Sequence, residues 1–420
     1  MGAESGPDAS PGHDSPCTID GEGLVARALA LVDAGTTEMA PDVLRVPLDY
    51  YRRADLFDRE RHLVMTTPLA LTSTAQVPEP FDFVVRDVLD TSVLITRGGD
   101  GRVRAFLNYC RHRGARPAAG CGSARRFTCP YHAWTYDTDG ALVGMPGRPG
   151  FERGDLEGGD FQGGGFEGID VDAHGLVELS CEERHGLVWV VATAGLPIDL
   201  DEHLGPLNAE LAQWDLGSYV AFEERSFESS VNWKAAVEAF AENYHFAYVH
   251  GQSIIGMNTL TNTAVFDPFG PHHRLGFPSP WIEGARGEVD PPILGSLSLI
   301  YWVWPNLVLA VTAVGLEVID LLPGPTSDLC RVRHGLLLNA PIVDDEARAG
   351  FGDLYEAVHA GVRVEDFGML PACGDAIRHA QHDHMVIGRN EIGVQNVVRT
   401  LAAATGFDLE GVQPPLEAGT

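Results

Sequence analysis

Two short loops constrain this chain more than any other feature. Cys110-Arg-His112 and Cys129-Pro-Tyr-His132 each pair one thiol with one imidazole, and sixteen residues lie between them. In a [2Fe–2S] cluster of mixed ligation, one iron takes two thiolates and the other takes two imidazoles. Each loop here supplies one of each. Neutral imidazoles lower the negative charge around such a cluster and raise its reduction potential. Tight turns at Gly114 and Pro130 are expected to bring the loops together like fingertips. The competing reading is a zinc site, but Cys-x-His is short beside the Cys-x₂₋₄-Cys and His-x₃₋₅-His pairs of zinc fingers. Cys17, Cys121, Cys181, Cys330 and Cys373 have no such partners and read as core or free thiols.

Length and charge exclude several other classes. A chain of 420 residues has room for two or three domains. It carries 29 Lys+Arg against 59 Asp+Glu, a net charge of −30. That argues against binding nucleic acid by phosphate neutralisation and against an anionic membrane surface. No apolar run approaches the roughly 18 residues of a membrane span. The N-terminal stretch lacks the basic-then-apolar order of a signal peptide, and residues 1–18 are expected to be a disordered tail. An odd cysteine count fits reduced, cytoplasmic thiols rather than a disulfide framework. The single lysine, Lys234, is consistent with codon usage.

Hydrophobic patterning divides the chain. Residues 19–62 read as helical. From 63 to 186, short β-branched runs separated by turn residues indicate a small antiparallel β domain, with a hairpin through Gly98 to Gly101 and a glycine-rich loop at Gly158 to Gly168. From 187 to 420, strands such as GLVWVVAT and SLSLIYWVWPNLVLAV alternate with helical text. The helical runs are VNWKAAVEAFAENYHF, the segment after Asp353, and a C-terminal amphipathic helix. The fold class is α+β, a β domain inserted in a larger mixed domain.

The second of these domains holds another candidate metal site. His245 and His250 can supply two imidazoles, and a carboxylate would complete a facial triad that leaves positions on Fe(II) open. Residues five apart on an ideal helix lie roughly 140° apart around the axis, so a break or π-type irregularity is predicted around Phe246 to Val249. Asp366, Glu365 and Asp375 are the candidate carboxylates. Glu242 sits three residues before His245, one turn back on the same helical face. His379, His382 and His384 read as a polar helix face rather than a second metal site.

LNYCRHRGA, FTCPYHAWTYDTDGAL and NWK…E…YH-x₄-H together resemble the large subunit of Rieske non-heme iron oxygenases. The resemblance runs from about Asp49 to the C-terminal helix, and WPNLVLAV is similar to the family's central catalytic strand. Arg111 stands where many members have Pro, Ala133 where many have Gly, and Ala239 where many have Asn. The resemblance implies a Rieske domain in a helix-grip-like catalytic domain. It implies Cys110, His112, Cys129 and His132 as cluster ligands, and His245, His250 and Asp366 as ligands of mononuclear Fe(II). Asp366 is favoured because it precedes Gly388-Arg389-Asn390-Glu391 by about twenty residues. Glu242 matches the carboxylate that bridges a mononuclear-site histidine to a Rieske histidine of the neighbouring subunit, here His132. Glu rather than Asp there resembles the subgroup that includes carnitine and choline monooxygenases.

These matches imply an oxygenase that uses O₂ to hydroxylate, dealkylate or cis-dihydroxylate a small organic molecule. The chain has no usable nicotinamide or flavin motif, so electrons from NAD(P)H require a separate reductase, with or without a ferredoxin. The family also implies a head-to-tail homotrimer. The alternative is a Rieske electron carrier without oxygenase chemistry. Tyr244, Phe246, Tyr248, Tyr301, Trp302 and Trp304 are candidates either for a pocket lining or for core. An aromatic cage would suit a quaternary ammonium substrate, and an apolar slot would suit an arene.

Overall fold

The short β-branched runs after Leu69 pair as antiparallel sheets, because their alternating side chains have a core to face on each side. The computed structural model describes residues 19–151, 169–380 and 382–409. The expected tail at 1–18 and the glycine-rich stretch at 158–168 lie outside the described residues. One five-stranded sheet runs in the order Glu178–Leu179, Val103–Leu107, Thr91–Arg97, Asp82–Val88, Cys121–Ser123. The expected hairpin is present: Arg97 pairs with Val103, and Gly101 turns the chain at φ 82°. A three-stranded sheet, Arg126–Thr128, Thr135–Asp137 and Leu142–Gly144, carries the second Cys/His loop. Leu94, Phe106, Phe127, Trp134, Tyr136 and Leu142 form the core beneath both loops. Leu187–Val190 pairs with Leu69–Ser73 and Cys181–Arg184 in a separate three-stranded sheet, and Val188 and Val190 pack with Val84, Val93 and Ile95 of the five-stranded one.

A seven-stranded antiparallel sheet organises the second unit. Its order is Val220–Ser229, Cys330–Leu338, Gly315–Pro323, Leu307–Thr312, Leu297–Val303, His272–Pro278, Val265–Phe269. Leu299, Tyr301, Val303, Leu309 and Val311 pack with the N-terminal helix Gly21–Ala34. Trp302, Val308, Ile319, Leu321 and Val332 pack with the helices Trp233–Glu238 and Ile392–Thr405. Both faces are covered, which is why these strands read as nearly continuous apolar runs. Each fully buried aliphatic side chain contributes roughly 1.5–3 kcal/mol.

Three expectations are corrected. Residues 19–62 are not helical throughout: Leu44–Pro47 is a strand paired with His384–Ile387. The histidine cluster is therefore not one helix face. The helix Phe367–His379 stops at Ala380, whose backbone is extended, and His384 opens the paired strand. The C-terminal helix is buried on most sides rather than amphipathic. Gln395 and Asn396 are buried with Val397 and Val398, and their amides find the Asp42 carbonyl and His273 Nδ1. Among the described residues, no helix is long and apolar enough to cross a membrane.

Candidate metal centres

The two Cys/His loops are built as matching turns. The N–H of Gly114 donates to the Cys110 carbonyl and that of Cys110 to Ala115; the N–H of Ala133 donates to the Cys129 carbonyl and that of Cys129 to Trp134. Gly114 adopts φ 79° and Ala133 φ 56°, both in the left-handed region. The turns set the His112 and His132 rings 4.5 Å apart and stack His112 on Trp134 at 5.0 Å. The thiols of Cys110 and Cys129 are buried. Nδ1 of His112 and of His132 is buried with no hydrogen-bond partner among the described residues. Two orphaned imidazole nitrogens and two buried thiols on paired turns are the donor set of a cluster that takes two ligands of each kind. The Tyr136 hydroxyl donates to Cys110 Sγ at 3.3 Å and accepts from the Arg111 N–H at 2.9 Å. Hydrogen bonds to a ligating sulfur raise the cluster potential.

The second site begins where a helix ends. Trp233–Glu238 is opened by Asn232, whose side chain accepts from the Lys234 N–H. Asn232 also donates to the carbonyls of Tyr51 and Ser327, and Trp233 donates to Glu60 at 2.8 Å. Lys234 is buried against Glu60 and the Tyr50 carbonyl. The NWK text is thus an anchor to the N-terminal helices. The chain is non-helical over 239–245, where one side chain claims the segment's own N–H groups and another ties it to a later loop. Glu242 accepts from the N–H groups of Tyr244 and His245, and Asn243 donates to the carbonyls of Leu260 and Thr263.

Phe246–Val249 then forms a single helical turn, with His245 and His250 at its two ends. The break expected at Phe246 to Val249 is therefore absent: that turn is intact, the histidines flank it rather than lie within it, and the interruption at 239–245 precedes both. The π-helical segment is elsewhere, at Gly361–Asp366. Leu354, Val358, Val362 and Asp366 all line one cavity. At four-residue spacing an α-helix drifts about 40° per step, and the wider π turn offsets that drift. Asp366 is thereby kept on the face that meets the histidines.

The geometry selects among the three carboxylates. Asp366 Oδ1 lies 3.0 Å from His250 Nε2 and 3.5 Å from His245 Nε2. One ligand atom from each of the three residues lies within 4.8 Å of the others, the one such group among the described residues. Glu365 accepts from His250 Nδ1 at 2.7 Å, and Glu242 from His245 Nδ1 at 2.5 Å. Asp375 pairs with Arg378 at the surface. The Glu242 contact arises from the turn at 239–245, not from a shared helical face. Both Nδ1 atoms are thus engaged by carboxylates, which leaves both Nε2 atoms directed at Asp366. Orienting partners of this kind fix the tautomer of a ligating histidine.

Burial pushes the His245 pKa down, but hydrogen bonds to Asp366 and Glu242 outweigh it and raise it to about 9. Burial pushes Asp366 up, and its two histidine partners outweigh that and hold it below the usual carboxylate range. Three carboxylates around two imidazoles fit a divalent cation, whose charge offsets two of the negative charges. Gly393 sets how closely the C-terminal helix approaches this turn: a Cβ there would sit 2.3 Å from the Ala241 carbonyl oxygen.

The triad opens into a cavity of about 400 Å³. Its walls are largely apolar, with Phe240, Phe246, Ile300, Val308, Ile319 and Leu336 among them. Of the six aromatic candidates, Phe246 alone lines it. Tyr301 and Trp302 are buried in the core, while Tyr244 and Tyr248 are exposed. Phe240, Phe277 and Trp281, which the sequence reading did not single out, also line it. Glu365's contact was likewise missed: in sequence it reads as an alternative ligand, and only the structure shows it turned toward Nδ1 of His250.

Comparison with known proteins agrees with both units. Residues 67–153 match the Rieske [2Fe–2S] domain family, and residues 216–406 match the ring hydroxylating alpha subunit (catalytic domain) family. The chain is 28% identical over 251 residues to the glycine betaine monooxygenase oxygenase subunit of Chromohalobacter salexigens, covering 57% of this chain and 52% of that one. It is 31% identical over 217 residues to the anthranilate 1,2-dioxygenase large subunit of Burkholderia cepacia, covering 50% and 48%. The chain spans about half the length of these curated relatives. The crystal structure of the quaternary ammonium Rieske monooxygenase CntA with L-carnitine shares the fold, with a TM-score of 0.71 at 19% identity over 92% of this chain and 99% of that one. By these matches the chain carries a Rieske [2Fe–2S] domain followed by a catalytic domain of the ring-hydroxylating alpha-subunit kind.

Proposed function

We propose that this chain is the terminal oxygenase of a Rieske non-heme iron system. The observation that carries the reading is the group His245, His250 and Asp366, closed to within 4.8 Å at the wall of a largely apolar cavity. Cys110, Cys129, His112 and His132 would hold the cluster; His245, His250 and Asp366 would hold the mononuclear iron. When bound, the two centres supply the O₂-binding site and the electrons that oxygenation of an organic substrate needs. The chain's own residues do the rest. Glu242 and Glu365 hold the imidazole rings by their Nδ1–H groups. The aliphatic walls exclude water and seat a small organic molecule.

Electrons come from NAD(P)H through a separate reductase, with or without a ferredoxin. We further propose a head-to-tail homotrimer in which Glu242 connects His245 to the partner's His132. Tyr131 beside one centre, and Tyr244 and Tyr248 beside the other, stand 46% to 77% exposed and supply apolar surface for such an assembly. The test is turnover with a surrogate reductase under ¹⁸O₂. The expected result is labelled product from the native protein and none from His245→Ala, with the cluster absorption unchanged. Product formation that survives His245→Ala would overturn the assignment.

A further inference from the structure

One carboxylate in the cavity belongs to neither metal centre. Glu317 lies on Gly315–Pro323, opposite Ala310 on one neighbouring strand and Leu336 on the other. Ala310, Glu317, Ile319 and Leu336 all face the cavity, so an acid stands in an aliphatic wall. Its position is held from behind. Glu317 Oε2 lies 3.1 Å from Nε2 of His334, which is buried. His334 Nδ1 lies 3.0 Å from Nδ1 of His359, whose ring is nearly parallel to it, 16° between planes. The Tyr355 hydroxyl bonds the His334 carbonyl at 2.9 Å.

The proton inventory gives this chain a direction. A carboxylate oxygen can only accept, so His334 donates to Glu317 from Nε2. Its Nδ1 then accepts from His359 Nδ1–H. Every member is satisfied, and one carboxylate oxygen is fixed while the side chain still lines the cavity.

The placement along the cavity is also informative. His359 precedes Asp366 by seven residues on the same helical run, about 10 Å at 1.5 Å per residue. Glu317 lines the same cavity as His245, His250 and Asp366, so a molecule seated there can meet both the acid and the triad. An ionised acid in an aliphatic wall is costly unless a partner meets it, and charge-assisted hydrogen bonds are the strong ones.

Resting on the oxygenase reading above, we propose that Glu317 is a specificity-determining residue. It accepts a hydrogen bond from a protonated amine that still carries an N–H, and the apolar remainder of that molecule lies along Ile319 and Leu336 toward the triad.

The test compares two probes of one shape on anaerobic, iron-loaded protein, by quenching of tryptophan fluorescence. The probes are 3-phenylpropylamine and its uncharged counterpart butylbenzene. The native protein is expected to bind the amine at least tenfold tighter. Glu317→Gln should cut that ratio at least fivefold, and Glu317→Asp should restore part of it. General damage to the fold would weaken both probes together and leave the ratio unchanged. A native ratio below tenfold, no binding of either probe, or a ratio that Glu317→Gln leaves within fivefold of the native one would overturn the proposal. Should Glu317→Gln fail to fold, Glu317→Asp decides by the same ratio: selective weakening of the amine supports it, and an unchanged ratio overturns it. The assay reads binding without turnover. Failure of the oxygenase reading would appear separately, as absence of ¹⁸O from product.

Discussion

The pair Glu365 and Asp366 offers the sharpest test of how the second metal site is built, because adjacent acids are assigned different work. Asp366 faces both Nε2 atoms, whereas Glu365 holds Nδ1 of His250 at 2.7 Å. The perturbation is Glu365→Gln beside Asp366→Asn. Glutamine keeps an acceptor oxygen of the same reach and loses the charge. The native bond joins a side chain 28% exposed to one 2% exposed. A hydrogen bond to a charged group contributes about 1.5–3 kcal/mol and a neutral one about half that. The loss is then about 1–1.5 kcal/mol, or about tenfold in metal affinity, at the low end of the usual range for an orienting partner. Asp366→Asn removes a ligand charge and is expected to cost at least about a hundredfold more. Competitive titration of Fe(II) against a chromophoric chelator measures both. If Glu365→Gln abolished iron binding while Asp366→Asn retained it, the assignment of ligand and orienting residue would be reversed.

Three further outcomes follow from the surrounding structure. Ala133 sits at φ 56°, where an L-residue is strained by about 1–2 kcal/mol; Ala133→Gly should raise the melting temperature read at the cluster absorption, and Ala133→Val should lower it. Lys234 and Glu60 form a buried pair, so Lys234→Met alone should cost about 3–5 kcal/mol in chemical denaturation, and adding Glu60→Gln should recover most of it. Burial raises the Glu238 pKa to about 8, against hydrogen bonding from Tyr51, which lowers it. The unfolded chain releases that proton at lower pH than the folded one. The native protein should therefore lose stability relative to Glu238→Gln as pH rises from about 4.5 to 8, and a melting series without this divergence would contradict the burial argument.

The candidate ligands were legible in the sequence because their chemistry is local. Cys-x-His and Cys-x-x-His declare their donors within one turn each, and YH-x₄-H does the same. Asp366 came from the family pattern, since nothing local separates it from Glu365; the separation depends on a π turn that no side-chain periodicity announces. The break expected at Phe246 to Val249 is not there, because the histidines cap an intact turn instead of lying inside a longer helix; the interruption falls before them, at 239–245. The residues that hold it, Glu242 and Asn243, act by bonding backbone groups up to twenty residues away. The strand Leu44–Pro47 was hidden for a similar reason: its partner, His384–Ile387, lies more than 300 residues on. The aromatic text around Tyr301 and Trp302 suggested a pocket, yet those rings fill the sheet's two faces. The cavity wall is mostly aliphatic, and its one isolated acid, Glu317, is marked by nothing in the text around it.

The account rests on two chemically distinct iron centres in one polypeptide. Iron and acid-labile sulfide analysis of the anaerobically reconstituted protein measures this directly. About three iron ions and two sulfides per chain are expected, falling to about two iron with unchanged sulfide in His245→Ala. Two iron in the native protein, or zinc in place of iron and sulfide, would contradict it.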